Sequence, residues 1–401
     1  MRDATRPGLP AWAAPATCWL GYAVIGLSGN ILGPILPALR HDLHAGYGAL
    51  ALLFVAGNVG GSVATVFGNR LLDRVGYRRL LVAGALAGGL AALARADLPS
   101  LAVWAVLSLF GGFSLSSIDI GGIRFITAAV PPKGRNAALN LLNVFYSAGS
   151  LVAPVLVGIL AAAGASVMWA YALSGLATLA MGALAFVAVP SERPHSEDAD
   201  LLAAWRWALG RPVLVRIGVA IALYAGLEVG FVGWIASYAH SRDHLSLAAS
   251  ALFPLVFWAG MTVGRTLATE RARHWTEGTL VSLGTATSIV GGLIALGGGG
   301  PIPIALGVAL TGIGCGPIWP SLFAVAAHSA PGRTSEAYGL LFPASSAGGL
   351  VIPWLAGQLF ALDGPRAALA VPIGGAIVMA GFVAYVLARD VRALPAPTTG
   401  A

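Results

Sequence analysis

Charge is what this chain has least of. Of its 401 residues, 10% are Asp, Glu, Lys or Arg, against about 25% in soluble domains, while 57% are hydrophobic and the mean hydropathy is +0.82. That balance excludes an ordinary soluble domain. Cysteine is nearly absent as well: Cys18 and Cys315 both fall in apolar runs, without CxxC or Cys/His ligand spacing, so neither a disulfide framework nor a zinc site is indicated and both read as packing residues. No HExxH, GxSxG or phosphate-loop pattern occurs, and no His/Asp cluster lies at a membrane face; enzymatic chemistry is unsupported and no cofactor is expected. The net charge of +7 does not point to nucleic acid, because the basic residues come in short clusters between apolar runs, as the positive-inside rule describes.

What the chain does have is apolar length. Runs at 16–39, 48–68, 80–96, 101–128, 137–163 and 167–189 are long enough to span a bilayer, and six more follow at 214–239, 248–268, 278–298, 303–328, 337–361 and 367–389. The first is too long for a signal-peptide core and reads as an uncleaved helix, interrupted by Asn30, Gly33, Pro34 and Pro37. Residues 191–212 hold Glu192, Glu197, Asp198 and Asp200, followed by Trp205, Arg206 and Trp207 in a stretch suited to a short helix lying on the membrane. The expected fold is all-α, with 12 transmembrane helices in two pseudo-symmetric six-helix bundles: residues 1–190 and 214–390, joined by a cytoplasmic linker at 191–213 and followed by a disordered tail at 391–401. Placing both termini in the cytoplasm puts 18 of the 23 Lys and Arg residues on that side, leaving Arg40, Arg95, Arg242 and Arg366 outside and Arg124 within a span.

An internal repeat supports the two halves. Residues 147–158 read SAGSLVAPVLVG and residues 346–357 read SAGGLVIPWLAG, with eight of twelve positions identical at an offset of 199 residues. Transporter folds built from repeats place their binding sites between the repeats near the bilayer midplane.

The loop NRLLDRVGYRR at 69–79 resembles the cytoplasmic loop motif of the major facilitator superfamily; Leu71, Asp73, Arg74, Gly76 and Arg78 fit the pattern, while Asn69 and Tyr77 depart from it. Physically it reads as a tight turn at Gly76 with Asp73 placed to accept from a helix N-terminus or to pair with arginine, a latch on one conformation. The alternative is that its arginines only anchor topology.

Of sixteen carboxylates, only Asp119 and Glu228 lie well inside predicted spans. An ionised group at the bilayer centre costs about 2.5–3.5 kcal/mol on insertion scales, so such residues face cavities and mark ion or solute paths. Each is a candidate cation-coupling site, one per half; the alternative is an acid that only knits helices together. Glu228 sits in YAGLEVGFVGWIASY, residues 224–238, where Tyr224, Glu228, Phe231, Ile235 and Tyr238 share a helical sector and Gly226, Gly230 and Gly233 lie opposite. The glycine face is expected to pack within its own bundle and the Glu228 face to look across a cavity. Arg124 either snorkels to the interface or reaches a solute. Asn140, Asn143, Ser147 and Ser150 form a polar stripe that either bridges helices or lines a cavity.

The seventh-span wording resembles the fucose:proton symporter group of the superfamily, which includes glucose/galactose transporters and sodium-dependent glucose-transporter-like proteins. Leu252 to Ala268 is similar to that group's eighth span through Phe257, Trp258, Gly264 and Arg265, and Asp119 falls where the group places a fourth-span acid. Gly121, Gly122 and Ile123 replace the asparagine that commonly follows, and the first span carries no acid. The resemblance implies a monomeric, multi-pass carrier in contact with membrane lipids, moving a small polar solute, a sugar first among candidates, with protons or sodium. Glu228 and Asp119 would bind the cation; Asn30, Asn140, Asn143, Tyr224, Arg124, Trp234, Trp258 and Trp319 are candidate solute contacts. Outward movement of an amphipathic compound is the alternative, because superfamily antiporters often carry an arginine in the fourth span, where Arg124 stands.

Overall fold

The computed structural model describes residues 9–96, 100–193, 201–272 and 274–384, and every regular element in it is helical. The expected tail at 391–401 lies outside the described residues. The first half comprises α1 (Ala13–Gly29), α2 (Leu32–Asp42), α3 (Tyr47–Val75), α4 (Tyr77–Arg95), α5 (Leu101–Ala129), α6 (Pro132–Ala162) and α7 (Trp169–Ala188). A short helix, α8 (Leu201–Leu209), leads into the second half: α9 (Pro212–Asp243), α10 (Leu247–Ser250), α11 (Phe253–Arg271), α12 (Glu277–Gly297), α13 (Pro301–Ser329), α14 (Thr334–Asp363) and α15 (Pro365–Phe382). Among the described residues eleven spans are long and apolar enough to cross a membrane, with α10 and α11 falling in one of them, and the bent pair α1 and α2 makes a twelfth. The protein is therefore an all-α, multi-pass membrane protein.

Helix boundaries follow local chemistry. Pro132, Pro212, Pro301 and Pro365 open their helices, where the missing N–H costs nothing and φ is already helical. Ser246 and Thr276 cap α10 and α12 by accepting from the amides of Ala249 and Thr279 at 3.2 Å each. The first span, expected as one helix, breaks by 41° between α1 and α2. Pro34 has no N–H to offer the Asn30 carbonyl four residues back, and the Asn30 side chain turns to the Gly26 carbonyl at 2.8 Å and to Ser150 at 3.1 Å.

The repeat is visible in the packing. A β-carbon on Gly149 of α6 would collide with the Ala23 carbonyl oxygen of α1, and one on Gly348 of α14 would collide with the Ala222 carbonyl oxygen of α9. Both partners in the second pair stand 199 positions after those in the first, so the same close helix crossing is built twice.

The halves meet unevenly. On the face opposite the linker, Trp234 of α9 is fully buried among Tyr47 and Phe54 of α3 and Phe360 of α14, with ring centroids 5.6–5.8 Å apart. Its indole N–H donates to the Pro353 carbonyl at 2.9 Å. Gln358 donates to the Gly48 carbonyl at 2.8 Å, Asn58 to the Gly349 carbonyl at 3.1 Å, and Tyr47 meets Ser241 at 3.3 Å. These contacts close the boundary between the halves on the far side.

Linker-side loops are pinned separately. Gly76 has φ +86°, and a β-carbon there would stand 2.8 Å from the carbonyl oxygens of Ser191 and Glu192, so the turn needs glycine on both counts. Arg78 donates to the Val189 carbonyl at 2.7 Å, while Arg74 is exposed. Trp207 of α8 lies between the guanidinium groups of Arg211 and Arg333, at 4.1 and 4.2 Å.

Candidate functional site

A cavity of about 340 Å³ lies between the halves, directly beneath the Trp234 plug. Its walls combine Asn30 at the broken first span, Asn58 and Phe54 of α3, Tyr146 of α6, Glu228 of α9, Trp258 of α11 and Ser346 of α14. Glu228 is half-buried, and it is the only carboxylate among the lining residues. The Arg265 guanidinium of α11 is near enough for its field to act on Glu228, Tyr146 and Tyr224. Tyr146 and Trp258 meet edge to face across the boundary, with centroids 5.9 Å apart. The Trp258 indole N–H is buried with no acceptor among the described residues, so the site offers a donor as well as an apolar ring face.

The break between α1 and α2 matters here. Interrupted helices inside membranes free backbone groups at binding sites, and they persist only where protein or a water-filled space satisfies them. The Asn30 carbonyl is such a group, on the cavity wall.

Sequence-predicted residues distribute unequally around this space. Asn30, Glu228 and Trp258 line it. Tyr224 is buried one turn from Glu228 with its ring 6.0 Å from Trp319, and Trp319 stacks on Phe323 at 4.6 Å in an aromatic group that also includes Tyr338 and Phe342. Trp234 belongs to the far-side plug rather than to the cavity wall. Asn140 and Asn143 are exposed on α6, toward the linker side of Tyr146. Asp119 accepts a hydrogen bond from Tyr22 within the first half. Arg124 reaches neither the cavity nor Asp119: its guanidinium lies 3.6 Å from Asp73 and donates to Asn69 at 3.2 Å. The loop motif and the fourth-span arginine, read separately in the sequence, are thus one contact.

The α9 faces also differ from expectation. Gly226 and Gly230 admit Ile352 of α14 from their own half, but Gly233 is met by Phe54 from the other half. Of the Glu228 sector, Phe231 packs 6.1 Å from Phe257, and Tyr238 donates to the Ala295 carbonyl at 3.1 Å, both within the second half. Sequence reasoning assigned no role to Asn58 or Tyr146, although Asn58 is a lone amide in an apolar run and Tyr146 sits one turn beyond Asn143. Arg265 entered only through the family resemblance.

Two six-helix halves around a largely apolar cavity that carries a few polar groups have the architecture of a membrane transporter. The chain belongs to the Major Facilitator Superfamily, which it matches over residues 18–302. It is 26% identical over 324 residues to a glucose/galactose transporter of Brucella abortus biovar 1, covering 76% of this chain and 77% of that one. It is 24% identical over 252 residues to protein TsgA of Salmonella dublin, covering 61% and 62%. Among solved structures, a bacterial homolog of the human lysosomal transporter Spinster, inward-facing and unoccupied, superposes with TM-score 0.80 at 12% identity over 96% of this chain and 99% of that one. The E. coli fucose:proton symporter FucP superposes with TM-score 0.63 at 15% identity over 92% and 98%. These likenesses establish the fold.

Proposed function

We propose that the protein imports a sugar by alternating access, coupled to protons or sodium at Glu228. The observation that carries the reading is the single carboxylate among the described lining residues of a cavity whose apolar walls also present amides, hydroxyls, aromatic rings and the Arg95 guanidinium. Ionised Glu228 opposes closure of the cavity, because closure strips water from the charge. Cation binding removes that cost, and a hydroxylated solute can then bond with Asn30, Asn58, Tyr146 and the Trp258 N–H while a sugar ring lies on an indole face. The glucose/galactose transporter relative supports the sugar assignment.

The linker face is assigned to the cytoplasm on the distribution of Lys and Arg, which puts the Trp234 plug on the outer side of the cavity. Asp73 and Arg124 latch the conformation described, and the protein acts as a monomer. The feature that favoured outward transport of amphipathic compounds, Arg124, is engaged with Asp73 and Asn69, which favours import.

The test is reconstitution in liposomes with an imposed proton or sodium gradient. Labelled hexose should accumulate inside. Gradient-driven extrusion of lipophilic cations without hexose movement would overturn the reading.

A further inference from the structure

Arg95 closes α4 and, by charge distribution alone, belongs to the far-side loops. The structure buries it to 8% exposure and makes it part of the same cavity wall as Glu228. Its guanidinium lies over the rings of Tyr171 and Trp104, at 4.6 and 5.5 Å, and donates to Ser108 at 3.0 Å. No carboxylate of a described residue lies within ion-pair distance, and the Nε–H has no acceptor. The Ser114 hydroxyl, also on the cavity wall, has no hydrogen-bond partner among the described residues. A guanidinium cannot discard its proton, so a buried one needs a counter-charge or a strong acceptor. Rings and one hydroxyl supply only part of that.

Arg95 shares the cavity lining with Gly29, Gly57, Gly111 and Gly112. Gly112 lets α5 cross closely over Gly57 of α3, where a β-carbon would collide with the Gly57 carbonyl oxygen. A β-carbon on Gly111 would stand 3.3 Å from Arg95 Nη2, so the absence of a side chain there makes room for the guanidinium at the cavity wall.

We propose that Arg95 is an anion-binding subsite of the solute cavity, and that the transported sugar carries a carboxylate, as a hexuronate does. This rests on the sugar-import reading and narrows its substrate class. The carboxylate takes the planar fork of Arg95, with the Ser114 hydroxyl as a further donor, while the ring hydroxyls face Asn30, Asn58 and Tyr146. Glu228, elsewhere in the same cavity, must then be neutralised before the anion enters, which ties solute binding to cation binding through like-charge repulsion.

Purified full-length protein titrated with glucuronate and with glucose, read by intrinsic tryptophan fluorescence, tests this. Wild type should bind glucuronate about tenfold or more tightly than glucose. That ratio should fall to about one in Arg95→Gln and to an intermediate value in Arg95→Lys, which keeps the charge and loses the fork. Equal affinity of wild type for the two sugars overturns this inference and leaves the sugar reading standing; absence of binding by either overturns both. A preference that survives intact in Arg95→Gln, or in Arg95→Lys should the glutamine variant not fold, removes Arg95 from the site. Chloride competing with glucuronate as well as unlabelled glucuronate does would make this an inorganic-anion site and overturn the solute assignment.

Discussion

Tyr22 on α1 donates its hydroxyl to Asp119 on α5, tying the acid to a neighbour inside the first half, whereas Glu228 faces the space between the halves. In the sequence the two acids look equivalent, each alone in an apolar span. Their surroundings separate them: each has a tyrosine of its own half beside it, but only Glu228 lines the cavity between the halves, with Arg265 near by.

If Asp119 serves mainly to hold α1 against α5, Tyr22→Phe and Asp119→Ala remove the same hydrogen bond. Their effects on thermal stability should then be strongly non-additive, with a coupling of about 1–3 kcal/mol, typical of a bond to a charged or buried group. Thermal unfolding of both single variants and the double variant measures it. Additive losses, with uphill transport abolished by Asp119→Ala alone, would instead make Asp119 a coupling site.

The Trp234 plug should control access from the far side. The native cysteines are both buried, so a cysteine at Ser346 reports on the cavity with little background. Trp234→Ala empties the space between Tyr47, Phe54 and Phe360. Labelling of that cysteine by an impermeant thiol reagent added outside should rise by about tenfold or more, because one methylene-scale gap suffices to lose contact and a whole indole is removed. An unchanged rate would show that the plug is not the barrier.

The Asp73–Arg124 pair is about one-third exposed on each side, so its direct contribution is small, about 0.2–1 kcal/mol. That is enough to shift a conformational equilibrium roughly 1.4- to 5-fold. Asp73→Asn and Arg124→Gln should therefore slow transport by comparable factors without unfolding the protein. The charge swap Asp73→Arg with Arg124→Asp should recover part of the rate. Initial uptake rates decide it, and a swap slower than either single variant would contradict the latch.

The repeated crossing makes a symmetric prediction. Gly149→Val and Gly348→Val each drive a side chain into a neighbouring backbone carbonyl, at a cost of about 1–3 kcal/mol or more. Both should lower the unfolding temperature by similar amounts, as thermal melts will record. A large effect in one half and none in the other would break the equivalence of the repeats.

Much of the architecture was legible because hydrophobic length and punctuation are local signals. The sixth predicted span, 167–189, is observed as Trp169–Ala188, and the repeat at 147–158 and 346–357 marks the α6 and α14 crossings. The turn at Gly76 was readable for the same reason. The partners of each helix face were not. Helical periodicity groups Tyr224, Glu228 and Phe231 on one sector, yet it cannot say that this sector packs largely inside its own half while Gly233 receives Phe54 from the other. Trp234 illustrates the limit: an indole in an apolar run reads the same whether it meets a solute or seals a gate. Arg95 was obscured because charge counting assigns a span-end arginine to the nearest loop, and only tertiary packing reveals that Trp104, Tyr171 and Ser108 enclose it.

Glu228→Gln in proteoliposomes decides whether Glu228 couples the cation to solute movement. The glutamine keeps the size and hydrogen-bonding capacity of the side chain but can neither gain nor lose the charge. The account predicts that the variant exchanges labelled solute across the membrane at a rate near that of wild type and fails to accumulate it under a proton or sodium gradient. Accumulation at the wild-type level would contradict it.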